Sequence, residues 1–287
     1  MNAHRLNPAT ARVRVGIAGS LSGRRVAHAG CFRSARERLL NAGVSALLGD
    51  DASDPEAAAD LAEEFALAGV GLVIGHFNSD CARAAIPIYR AHGVGLLLPA
   101  STANELPLGQ GVYRLCANDA AQARLIAEWL RKQAEPAEVC VDRSEYAQRL
   151  LKGLRTELCD AMPPVRDLAK PGPAAPVRVV LALAHAACES LRQPSACRTA
   201  LFSDEAAVSE FRQLAAESST ACSLVTPEPS YETLVAQACD ITLRWCAHRP
   251  LPSFERWASA SGCFLTSGES RSARWALQHL HLAATPL

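Results

Sequence analysis

The stretch from Gly71 to Leu106, GLVIGHFNSDCARAAIPIYRAHGVGLLLPASTANEL, constrains the fold more than any other. Leu72-Val73-Ile74 is a short apolar run that stops at Gly75, and Leu96-Leu97-Leu98 is another that stops at Pro99. Between them residues 82–92 have helical spacing, with Pro87 as the one awkward residue. Strand, helix and strand in so short a span form a crossover, and crossovers join parallel strands whose following loops open on one edge. Ligands of such sheets bind beyond the carboxyl ends of the strands. Those ends here carry Asn78, Ser79, Ser101 and Thr102, small hydrogen-bonding groups without a nucleophile–base pair among them. The two loops are suited to holding a polar guest.

The same alternation extends in both directions. Val13–Ala18 and Val44–Leu48 read as buried strands, and Ala27–Ala42 and the segment after Asp54-Pro55 as helices, giving four βα units before Tyr113. The chain then crosses into a second set: helix 120–133, strand 139–141, helix 146–158, a Pro-rich loop over 163–176, strand 177–184, helix 186–193 and strand 199–202. Residues 223–229 read as a return linker, 231–247 as a helix back on the first lobe, and 264–282 as a terminal hairpin. The expectation is an α/β protein of two doubly wound lobes. The first comprises 12–117 plus 228–260 and the second 118–227 plus 261–287, with hinge segments near 116–118 and 224–227.

Three motifs in register make this pattern specific: DDASDPEAA at 50–58, VIGHFNSD at 73–80 and LLPASTANEL at 97–106. In this order and spacing they resemble the type I periplasmic binding proteins, in the leucine/isoleucine/valine-binding branch. The likeness continues through YRLCANDAAQA (113–123), VDRSEYAQRL (141–150) and LFSDEAA (201–207), and fades after about Tyr231. The resemblance implies two Rossmann-like lobes with a ligand cleft between them, the second lobe reduced in this shorter chain. It also implies capture of a small amino-acid-like or amide-like molecule by lobe closure.

By the same resemblance, Ser79 and Thr102 take the ligand carboxylate, aided by backbone amides near Ser79 and by Ser101. The carbonyl of Ala100 accepts from the ammonium, Glu205 supplies the opposing charge, Tyr146 closes over the ligand, and Phe77 is an apolar wall. Ala29 stands where several relatives carry an aromatic, which implies a guest bulkier or more polar than leucine. Asp50 and Asp51 are expected to hold loops rather than a metal, and neither His28 nor His185 is given a proton-transfer role.

Composition excludes several other classes. Lys plus Arg equals Asp plus Glu at 29 each, so no basic face calls for nucleic acid or an anionic membrane. No apolar run reaches the roughly 18 residues that span a bilayer, so direct membrane insertion is not expected. Gly-x-Ser-x-Gly, P-loop and HExxH motifs are absent, which argues against an enzyme and against any cofactor. The start MNAHRLNPATARVRVGIAG lacks the apolar core of a secretory leader. The 11 cysteines show no CxxC or zinc-like spacing. Some exported relatives join the first two motif loops by a disulfide, whereas Ser53 and Asn78 stand at those places here. These features lead to an expectation of cytoplasmic residence, or periplasmic residence if the true start lies upstream. The expected partner is an ABC permease, or in the alternative a cytosolic partner regulated by a ligand sensor; an interaction scaffold without ligand is the third reading.

Overall fold

The computed structural model describes residues 13–170, 175–193, 195–248 and 250–280. Residue 12, residues 171–174 of the Pro-rich loop and residues 281–287 at the end of the expected second lobe lie outside them. The chain divides into two compact units: 1–116 with 229–272, and 117–228 with 273–287.

The first unit is built on a parallel sheet of five strands in the order β2-β1-β3-β4-β5. These are β1 (Arg14–Gly19), β2 (Ser45–Asp50), β3 (Val70–Ile74), β4 (Gly95–Leu98) and β5 (Val112–Arg114). Helices α1 (Ala29–Asn41), α2 (Pro55–Leu67) and α3 (Ser79–Ala91) join the strands, and α8 (Tyr231–Cys246) and α9 (Phe254–Ala260) return to the unit later in the chain. Two apolar clusters cover the two faces of the sheet. One gathers Ile17, Phe32, Leu97, Tyr113, Leu234, Trp245 and Phe254, the other Leu61, Phe65, Val73, Ile86, Tyr89 and Leu98. A strand covered on both faces must be apolar at nearly every position, which is why the runs in this sequence do not alternate.

The helix starts were written locally. Asp54 accepts from the N–H groups of Glu56 and Ala57, with Pro55 at the first helical position. Asn78 accepts from the Asp80 N–H, so α3 begins at Ser79 and not at Ala82 as the periodicity suggested. Pro87 is carried inside α3 on its exposed side, where the carbonyl left without a donor meets water.

The second unit has a sheet of six strands in the order β11-β10-β9-β8-β6-β7. They are β6 (Ala137–Val141), β7 (Val165–Asp167), β8 (Val177–Leu181), β9 (Thr199–Phe202), β10 (Ala221–Glu228) and β11 (Arg274–Leu280). All pairings are parallel except β10 with β11. Helices α4 (Asp119–Arg131), α5 (Glu145–Leu158), α6 (Ala184–Arg192) and α7 (Ser209–Glu217) belong to this unit. Among the described residues this unit has six strands and four α-helices.

Several boundaries differ from expectation. Residues 223–229 are mostly strand β10, so Leu224–Pro227 lies within a sheet, and the chain passes from one unit to the other at 228/229. Pro227 lies within this strand, and β9 pairs with β10 only as far as Leu224, so the missing N–H leaves no bond unmade on that side. The Pro-rich loop contains β7. Residues 261–272 belong to the first unit, where Leu265 and Glu269 form a tight turn against β5: Arg114 N–H donates to the Gly268 carbonyl and Ser270 N–H to that of Arg114, both at 2.8 Å. Gly268 is required there, since its φ is +84° and a Cβ would meet Gly109 N at 2.7 Å.

Candidate functional site

Five of the expected site residues come together on the loops that follow β3 and β4. Ser79 is the first residue of α3 and is buried, and its Oγ accepts a hydrogen bond from the Ala103 N–H at 3.2 Å. Ser101 is fully buried, and its hydroxyl donates to the His76 carbonyl at 2.7 Å and more weakly to that of Phe77 at 3.4 Å. Its role is to tie the two loops together. Thr102 is 4% exposed, and among the described residues its hydroxyl has no hydrogen-bond partner. Ala100 packs its methyl into the core cluster. Phe77 is half-buried and stacks edge-on against Phe32 at 4.5 Å between ring centroids, with His28 at 5.4 Å and Tyr231 at 5.9 Å. This aromatic group was only partly foreseen, because Phe32 and Tyr231 lie far from the motif in sequence. Ala29 is buried within α1.

Beneath these loops lies a polar brace. His76 Nδ1 meets Asp51 Oδ2 at 2.7 Å and its Nε2 meets the Tyr89 hydroxyl at 3.2 Å. Asp51 also accepts from the Ser53 N–H and the Ser20 hydroxyl, each at 3.0 Å. Burial by itself would raise the Asp51 carboxyl; the hydrogen bond and charge of His76, with Ser53 and Ser20, hold it below the ordinary carboxylate range. Burial, followed by the Asp51 charge, pushes the Tyr89 phenol upward. A carboxylate, an imidazole and a hydroxyl in sequence resemble a hydrolytic relay, but all three side chains are wholly buried, so no substrate meets them. Their work is structural: through Ser20, Asp51, His76 and Ser101 they join the loops after β1, β2, β3 and β4.

Asp50 takes part in the same scaffold, accepting from the N–H groups of Leu21 at 2.8 Å and Ala52 at 2.9 Å. Asn78 Nδ2 donates to the Ser53 carbonyl at 3.3 Å, joining the loops after β2 and β3. Among the described residues no group of three His, Cys, Asp or Glu side chains could hold a metal ion.

Tyr146 and Glu205 lie in the second unit, on the segments after β6 and β9. Tyr146 is buried, and its hydroxyl donates to Asp204 Oδ1 at 2.5 Å. Gln122 Nε2 donates to the same oxygen at 2.7 Å. Burial, then the charges of Asp204 and Glu205, push the Tyr146 phenol well above its ordinary value. The Tyr146 hydroxyl is therefore engaged within its own unit. Asp204 and Gln122 were not singled out in the sequence, and nothing in their local pattern marks them; they are brought to Tyr146 by the strand order. Glu205 is half-buried beside this group, in a short turn after Ser203. His185 is exposed in the first turn of α6.

Residues 34–188 match the model of a family described as periplasmic binding protein. The Leu/Ile/Val-binding protein homolog 1 of Brucella abortus is 31% identical over 120 residues, 40% of this chain and 32% of that protein. The Leu/Ile/Val-binding protein of Escherichia coli is 29% identical over 113 residues, 38% of this chain and 31% of its own. The matched segment thus spans about a third of these relatives. Among solved structures, the branched-chain amino acid transporter substrate binding protein LivJ of Streptococcus pneumoniae, in complex with isoleucine, superposes with a TM-score of 0.77 at 15% identity, covering 93% of this chain and 99% of that one. A solute binding protein from R. palustris, in complex with benzoate, superposes with a TM-score of 0.76 at 11% identity over 94% and 93% of the two chains. At these identities the likeness is one of fold.

Proposed function

The chain belongs to the periplasmic binding protein family, and on that premise we propose that it captures a small acid with an apolar body, an amino acid foremost, for delivery to an ABC permease. The observation that carries the reading is the pairing of Ser79, at the N-terminus of a helix of 13 residues, with the unpartnered hydroxyl of Thr102 on the adjoining loop. Helix dipole, first-turn N–H groups and hydroxyl donors suit a carboxylate. Isoleucine and benzoate, bound by the two structural neighbours, share that group on an apolar body. The Phe77 cluster would receive the apolar body, the Ala100 carbonyl an ammonium hydrogen, and Glu205 the ammonium charge. Asp204 is less suited to that last role, since Tyr146 and Gln122 already donate to it. Tyr146 would act by supporting this acidic turn rather than by offering its hydroxyl to the guest.

The chain is not proposed to be an enzyme. Ser79 accepts from a backbone N–H and Ser101 donates to backbone carbonyls, so neither hydroxyl stands beside a base.

Titration calorimetry with leucine, isoleucine, phenylalanine and benzoate tests the reading. Binding of at least one is expected, and Ser79→Ala should weaken it on the order of tenfold or more, because a charged ligand group loses a donor away from water. Unchanged affinity in Ser79→Ala and in Glu205→Ala would remove both residues from the site.

For location, we propose the periplasm, as for the family. The thiol count that favoured the cytoplasm weighs less once burial is known. All cysteines but Cys159 are at least partly buried, and burial pushes Cys140 and Cys239 up to about 11 and Cys222 up to about 12. A thiol held protonated is a poor nucleophile and resists oxidation. No helix among the described residues is long and apolar enough to cross a membrane. Osmotic-shock fractionation of the native host should release the protein with the periplasmic contents; recovery with cytosolic enzymes would reverse the assignment and favour a sensor.

A further inference from the structure

One buried charge in the first unit has no part in the site as described so far. Arg114, at the end of β5, is 2% exposed. Its Nη1 donates to the Ala103 carbonyl at 2.7 Å and, more weakly, to the Thr102 carbonyl at 3.4 Å. Its Nη2 meets Glu269 Oε1 at 2.5 Å. The Thr102 carbonyl and the Ala103 N–H are the two poles of one trans peptide and point in opposite directions. That N–H is the group that donates to Ser79 Oγ.

We propose that Arg114 is a positioning residue of the ligand site: by gripping the Thr102–Ala103 segment from behind, it fixes Ser79 as a hydrogen-bond donor to the ligand carboxylate. The inference rests on the carboxylate reading above and deepens it. A serine hydroxyl has one proton to give and two lone pairs to offer. With the Ala103 N–H occupying its acceptor side, the Ser79 proton is left for a guest. A guanidinium at the carbonyl end of the peptide polarises it and strengthens the N–H at the other end, as in any chain of hydrogen bonds away from water. Glu269 balances the charge of Arg114 and fixes its fork, so that the segment from the later part of the chain completes the support. Lysine could keep the charge but not the span, since a point charge cannot bridge carbonyls and carboxylate in one plane.

The test is a double-mutant cycle in binding affinity, measured by calorimetry on the native chain, Ser79→Ala, Arg114→Lys and the double variant, with thermal melting to verify folding. If Arg114 acts through Ser79, Arg114→Lys weakens binding on the order of tenfold in the native background and adds less than about twofold once Ser79 is alanine. A residue that merely stabilises the unit would give the same loss in both backgrounds. Equal losses, or no loss in either, would overturn the proposal and leave the carboxylate reading standing. If Arg114→Lys does not fold, Glu269→Gln takes its place in the cycle with the same expectations. The cycle is run with whichever of leucine, isoleucine, phenylalanine and benzoate the native chain binds most tightly; if it binds none of them, the carboxylate reading falls and takes this proposal with it.

Discussion

Gly75→Ala is expected to abolish the folded first unit. The backbone at Gly75 has φ +137°, a region closed to residues with a side chain, and an added Cβ would sit 2.0 Å from the Ala18 carbonyl oxygen. That contact is with backbone of the neighbouring strand β1, not with a side chain that could turn aside. The clash can be relieved only by separating β3 from β1 at the sheet's centre, where Ile17 pairs with Ile74. Strain and lost packing together should cost more than about 4 kcal/mol, at the severe end for a single substitution. Urea denaturation of the purified variant, or its partition into the insoluble fraction, measures this. A variant as stable as the native protein would show that the backbone at Gly75 is not held as described.

The second large effect concerns His76. Replacing it with alanine leaves the Asp51 carboxylate in the interior without its nearest partner, and breaking one side of a buried pair costs about 3–5 kcal/mol. The double variant His76→Ala/Asp51→Ala should be less destabilised than the sum of the two single variants, because no charge then remains stranded. The pH dependence carries a separate signature. A carboxyl held below its ordinary value stabilises the fold fully above the unfolded value near ~4, and that stability is lost as pH falls through the folded value beneath it. In the native protein Asp51 therefore contributes to acid unfolding only below about pH 4. Without His76, burial governs and the carboxyl rises above its unfolded value, so the sign reverses: the stranded carboxylate destabilises the fold most at neutral pH, and protonating it relieves part of that loss as pH falls through the raised folded value. Denaturation midpoints followed from neutral to acid pH should therefore converge for native and His76→Ala, and parallel curves would contradict it.

Both predictions involve loops that are legible in the sequence. The apolar runs at 72–74 and 96–98, the caps at Asp54 and Asn78, and the hydroxyls at Ser79, Ser101 and Thr102 are local signals. A strand buried on both faces, a helix start and a βα loop each depend on a few neighbouring residues. The family resemblance added the expected roles, and the matched family model covers the same motifs. Strands β5 and β7 escaped because three residues carry too little pattern to separate from a loop. Helix α9, of seven residues, is held by Phe254 against Tyr113 and Trp245, contacts no local reading supplies.

The sequence by itself determined the α/β class, the first-unit loops and the hydroxyls they present, because these depend on periodicity and capping within single elements. Tertiary structure alone decided what those hydroxyls can do. Ser101 became a tie between loops, Thr102 kept its hydroxyl unengaged, and Ser79 had its acceptor side filled by Ala103, with Arg114 and Glu269 arriving from distant parts of the chain. It likewise decided that Tyr146 serves Asp204 and that residues 223–228 are a strand. A hydrogen bond's direction depends on which partner is nearest in space, and strand order, which sets those partners, is fixed by burial across the whole sheet rather than by any local run of residues.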